Sequence, residues 1–155
     1  MNNQQKIDFK NTLKKKCIEI IEQRILSCYR AMENAQAAAN EEEKSSAGDK
    51  YETGRAMNQI EKDMHARQLA ANKNDLASLL TIDCNHVYEK IIPGCFVKCT
   101  GVSFFIAAGL GKITVDEQTV FLLSLHAPVA KMLYHKNTGD SILFNGKELV
   151  IEDLY

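Results

Sequence analysis

The chain has 155 residues, 45% of them hydrophobic and 25% charged, with 19 Lys+Arg against 20 Asp+Glu and a formal charge of −1. That length suits one ordinary domain or two small modules. The composition excludes a fibrous or wholly disordered protein, and the balanced charge excludes a uniformly basic nucleic-acid binder, though not one with segregated charge. No apolar run approaches the roughly 20 residues of a membrane helix, and the opening residues lead into no apolar signal core. The expected setting is the cytoplasm, with no membrane partner.

The chain divides by texture near residue 82. Residues 1–82 hold two glycines and no proline and are rich in Gln, Glu, Lys, Ala and Met, whereas 83–155 hold both prolines and six glycines. The first half reads as long helices and the second as short strands, an α+β protein. In the first helix Ile18, Ile21, Ile25, Cys28, Met32, Ala35 and Ala39 alternate in spacing between three and four, the heptad seam of a coiled coil. Leu13, Cys17 and Ile20 widen that face toward the N-terminal end.

The pattern breaks at Glu41-Glu42-Glu43-Lys44-Ser45-Ser46-Ala47-Gly48-Asp49, where Asp49 suits a helix cap. A second helix is expected from Tyr51 to Leu80, with Met57, Ile60, Met64 and Ala71 on one face and Leu69, Leu76 and Leu80 beside it. Two such helices joined by a short turn fold back as an antiparallel hairpin. About 35 residues at 1.5 Å each make a rod of roughly 50 Å, with its tip at residues 41–55.

In the second half, Cys95–Thr100, Val102–Ala107, Lys112–Val115, Val120–Leu125, Ser141–Phe144 and Glu148–Ile151 read as strands, and Val129–Tyr134 as a short helix behind Pro128. Asn145-Gly146 between apolar runs is the strongest hairpin signal. A small, mostly antiparallel sheet covered by one short helix is expected. Gly109-x-Gly111 is too short for a dinucleotide fingerprint and reads as a turn.

Asp49 and Glu52 stand three apart at a helix start, so their carboxylates project from the same side. Two exposed carboxylates do not satisfy the six oxygens Mg²⁺ prefers, but they can complete a site whose other ligands come from a partner, where a metal activates water for phosphoryl chemistry. The alternative is an acidic turn that favours the helix dipole and is otherwise solvated. Lys14-Lys15-Lys16 reads as a solvated face or a contact for nucleic acid, and Tyr51 as a base-stacking or packing residue. The four histidines form no helix-spaced pair, and His126 stands beside Ala127-Pro128. The five cysteines, Cys17, Cys28, Cys84, Cys95 and Cys99, are odd in number and contain no C-x-x-C, so reduced, buried thiols are expected. Cys95 and Cys99, four apart, share one face of their strand.

Gly48-Asp49-Lys50-Tyr51-Glu52-Thr53 resembles the Gly-Asp-x-x-Glu-Asn tip motif of the bacterial Gre-type transcription elongation factors, the GreA/GreB family. Ala127-Pro128-Val129-Ala130-Lys131-Met132-Leu133, with Lys136 and Gly139-Asp140, resembles that family's Ser-Pro-x-x-x-Ala-Leu stretch, and Ile142, Asn145-Gly146 and Leu149-Val150-Ile151 fit its last two strands. Thr53 stands where the family has Asn and Ala127 where it has Ser; Gly54-Arg55-Ala56 lacks its acidic-aromatic pair, and the second module is short.

The resemblance implies an N-terminal antiparallel coiled-coil hairpin and a C-terminal FKBP-like antiparallel β domain that docks on RNA polymerase. It implies a factor with no enzyme activity of its own, acting as a monomer, whose rod enters the secondary channel. There Asp49 and Glu52 help hold a Mg²⁺ shared with the polymerase, so that the polymerase cleaves the 3′ end of backtracked nascent RNA. Ala127 and Pro128 fall on a polymerase-contact turn, and no cofactor is implied for the isolated chain. Two other readings stand beside it: a secondary-channel regulator or inhibitor without cleavage, and a coiled-coil adaptor unrelated to polymerase.

Overall fold

A computed structural model describes residues 1–45 and 48–155; the side chains of residues 42–45 and 49–51 also lie outside what is described. The protein is α+β. Two long helices, α1 (Asn3–Ser45) and α2 (Asp49–Leu80), precede six strands and a short helix: β1 (Phe96–Cys99), β2 (Ser103–Ile106), β3 (Gly111–Val115), β4 (Gln118–Leu123), α3 (Pro128–Leu133), β5 (Ser141–Phe144) and β6 (Lys147–Leu154). No described helix is long and apolar enough to cross a membrane. All six expected strands are present with their ends moved by up to three residues, and α2 begins at Asp49 rather than Tyr51.

The chain forms two compact units, one made of residues 1–19 with 78–155 and the other of residues 20–77. In the first unit the sheet order is β3-β4-β2-β1-β6-β5. The sheet is mostly antiparallel, as the residues predict, with four antiparallel pairings; the wholly antiparallel domain that the resemblance implies is corrected, because β2 and β4 run parallel, with Ser103 opposite Val120 and Ile106 opposite Leu123. Chain order alone would place β3 beside β2. The apolar strand β4, with Val120 and Leu122 buried, takes the interior place instead, and the more polar β3, with Lys112 and Thr114 exposed, goes to the edge.

Both faces of the central strands are covered, which is why all four residues of β2 are buried rather than alternating. One face packs Val97, Cys99, Phe104, Ile106, Ile142 and Ile151 against Ala130 and Leu133 of α3. On the other face Phe96, opposite Phe105, meets Phe9 of α1 edge-on and Tyr155 at a tilt of 40°, each at 5.1 Å between centroids. The Asn145-Gly146 hairpin forms as expected, a two-residue loop between Phe144 and Lys147 with φ of 49° and 76°.

The start of α1 is closed by a capping box that the sequence reading overlooked: Gln5 N donates to Asn2 Oδ1 and Asn2 N to Gln5 Oε1, both at 2.9 Å. The expected α1 seam is borne out in burial, since Ile18, Ile21, Ile25, Cys28, Met32, Ala35 and Ala39 are all buried or half-buried. The expected α2 face is not. Met57, Ile60, Met64 and Ala71 are exposed, and the half-buried positions are Gly54, Asn58, His65, Leu69, Asn72 and Leu76, followed by buried Leu79. In the second unit Asn72 Nδ2 donates to Cys28 Sγ at 3.6 Å, Lys62 Nζ reaches Gln36 Oε1 at 3.5 Å, and Lys73 Nζ lies 5.4 Å from the Tyr29 ring centroid. Polar contacts of this kind select the Asn72 side of α2, which the count of apolar residues did not favour.

Candidate functional site

The two acids sit where α2 begins. Gly48 has a φ of +72° with open space around it, a left-handed turn that glycine adopts at no steric cost, and Glu52 N donates to Gly48 O at 3.3 Å to close the first helical turn. Glu52 is exposed. Asp49 opens the helix, but its side chain lies outside the described residues, as do those of Glu42, Glu43, Lys44, Lys50 and Tyr51. Among the described residues no three His, Cys, Asp or Glu side chains group to hold a metal ion. The described chain thus offers Glu52 as one free-standing carboxylate here, which does not by itself fit a Mg²⁺ site.

Ala127 and Pro128 sit where α3 begins, in the other compact unit. Ala127 is the N-cap, with no side-chain bond to the helix, and Pro128 takes the first helical position, where its missing N–H is no loss. Ala130 and Leu133 anchor the helix in the core, which leaves Pro128, Lys131, Met132 and Tyr134 exposed. Beside them Leu125, Ala130, Lys131 and Tyr134 line an open groove of about 250 Å³. The sequence reading missed this groove because it is formed by residues on either side of the Pro128 turn.

It also missed a lysine ladder on α1. Lys6, Lys10 and Lys14 recur at every fourth residue, and each reaches a different part of the C-terminal half. Lys6 pairs with Asp153 at 2.7 Å and lies over the Tyr155 ring. Lys10 is wholly buried, donates to His86 O and sits over the Tyr88 ring. Lys14 donates to Ile82 O at 2.6 Å and reaches Leu80 O at 3.5 Å, placing a cation at the α2 C-terminus, whose own last turn holds no basic residue. Of the Lys14-Lys15-Lys16 run, Lys14 is therefore engaged within the fold. The spacing of four was the available signal.

All five cysteines are free and buried. Burial pushes the thiols of Cys17 and Cys95 up to about 12 and that of Cys99 to about 11, so they stay protonated at neutral pH and lack nucleophilic character. Cys95 and Cys99 do share the core side of their strand with Val97. Comparison with protein-family models, with curated proteins and with solved structures gives no match.

Proposed function

We propose that this chain is a transcription elongation factor of Gre type, which enters the secondary channel of bacterial RNA polymerase and stimulates cleavage of backtracked nascent RNA. The observation that carries the reading is the order of parts. A long helix, a Gly48 turn with exposed Glu52 directly behind it, a second long helix, and a sheet module bearing an exposed Pro128 turn follow one another along one chain.

In this reading α1 and α2 form an antiparallel coiled-coil hairpin. Their contacts support it, because the α2 partner falls from residue 72 to 62 as the α1 residue rises from 28 to 36. The sheet and α3 form the FKBP-like docking module, and exposed Leu125, Pro128 and Tyr134 beside the groove supply an apolar surface for the polymerase. Asp49 and Glu52 add carboxylate oxygens to a Mg²⁺ whose remaining ligands belong to the polymerase. There the metal would activate water for phosphoryl chemistry.

The test adds purified protein and Mg²⁺ to a stalled, backtracked elongation complex and reads RNA lengths on a gel. Shortened transcripts are expected with the native chain. They should be lost with Asp49→Asn or Glu52→Gln, while Tyr134→Ala should raise the protein concentration needed. Unchanged cleavage by both acid variants removes the mechanism; reduced nucleotide addition without cleavage assigns the chain to the inhibitor class instead.

A further inference from the structure

We propose that Met57, Ile60 and Met64 form a docking stripe on α2 for a cationic amphipathic helix of a partner protein, a reading that does not rest on the polymerase proposal. These three side chains are 66%, 69% and 46% exposed, and their spacing of three and four puts them on one face over two helical turns. The half-buried positions of the same stretch are Gly54, Asn58 and His65. The helix therefore turns small and polar residues inward and its large apolar ones to solvent. This is the reverse of the arrangement expected for a helix packed on one side only, and it leaves a contiguous apolar surface of the kind that marks a binding site.

The shoulders of the stripe identify what covers it. Glu61 follows Met57 by four residues and precedes Met64 by three, and Asp63 follows Ile60 by three, so one acid stands on each side. Both are exposed; Glu61 lies 3.7 Å from His65 Nε2 and Asp63 accepts from Gln59 Nε2 at 3.0 Å, so both carboxylates keep lone pairs for a second donor. Arg67, one turn past Met64, confines the acidic stretch to the stripe itself. A second copy is disfavoured, because antiparallel pairing centred on Ile60 sets Glu61 against Gln59 and Asp63 against Met57, which gives neither acid a cation. A helix with apolar residues at i, i+3 and i+7 and Lys or Arg beside them satisfies both the stripe and its shoulders. The flexible thioethers of the two methionines suit such a surface.

The test titrates the full-length chain against two labelled peptides of roughly 18 residues, one Leu/Lys and one Leu/Glu amphipathic helix, by fluorescence anisotropy. The Leu/Lys peptide is expected to bind, with affinity at least about tenfold weaker for the triple variant Met57→Gln, Ile60→Gln, Met64→Gln. The double variant Glu61→Lys, Asp63→Lys is expected to transfer the preference to the Leu/Glu peptide. No binding of the Leu/Lys peptide, undiminished binding by the triple variant, or a preference unmoved by charge reversal overturns the proposal. So does sedimentation equilibrium showing a dimer of the chain that the triple variant abolishes.

Discussion

The ammonium of Lys10 lies 4.4 Å from the centroid of the Tyr88 ring while also donating to the His86 carbonyl, with none of the residue exposed. One helical cation thereby organises the connection between α2 and β1, whose Tyr88 hydroxyl in turn donates to Asp83 O at 2.7 Å. Lys10→Ala removes the cation and opens a cavity, so it is expected to destabilise the fold by about 2–4 kcal/mol. Lys10→Met keeps the stem and removes the desolvated charge, and should lose less than half as much. Urea unfolding of both variants checks this; equal losses would assign the whole effect to the charge.

Alkaline pH is expected to destabilise the protein through its thiols. From the ordinary value of 9.0 up to about 12 for Cys17 and Cys95 and about 11 for Cys99, the unfolded chain releases protons that the folded chain retains. Stability is therefore whole below pH 9 and declines above it, by at most about 1.4 kcal/mol per pH unit for each thiol. Lys10 acts in the opposite sense, because burial lowers its pKa, only partly offset by Cys84, Cys95 and Asp83, and the unfolded chain then holds the proton longer. Three thiols outweigh one lysine. Thermal melts between about pH 8 and pH 11 should show a falling Tm, with a shallower fall for Cys95→Ala.

Gly94 is the glycine on which the same connection closes. Its φ is +93°, and a Cβ there would lie 2.6 Å from Asp83 O and 3.3 Å from the Tyr88 ring. Gly101 has a φ of +80° with open space around it. Gly101→Ala should cost about 1–2 kcal/mol, the left-handed penalty alone, and Gly94→Ala clearly more, since backbone must move as well. Parallel denaturation curves separate the two; similar losses would mean that the connection yields freely.

His65 offers a stabilising change. Its Nδ1 is buried with no hydrogen-bond partner among the described residues, and its Nε2 lies 3.7 Å from Glu61, longer than a hydrogen bond. His65→Leu removes the unsatisfied nitrogen and is expected to add about 1–2 kcal/mol, raising Tm by several degrees. An unchanged or lower Tm would show that the imidazole is satisfied by water.

What could be read directly from the chain was whatever repeats locally. The α1 seam from Ile18 to Ala39, the six strands, the Asn145-Gly146 hairpin and the Pro128 helix all follow from spacing and turn chemistry within a few residues. The position of Asp49 and Glu52 at a helix start was legible for the same reason, because Gly48 and the Ser45-Ser46 break mark it. Partner choice was not legible. Met57, Ile60 and Met64 look like a buried face until Asn72 is seen bonded to Cys28, and β4, the far leg of a hairpin with β3, gives no local sign that its other edge runs parallel to β2. The ladder of Lys6, Lys10 and Lys14 is a solvated stripe by composition and becomes structural only when carbonyls and rings distant in sequence meet it. Periodicity reports which face of an element is apolar; which face is buried depends on long-range contacts whose strength no single segment contains.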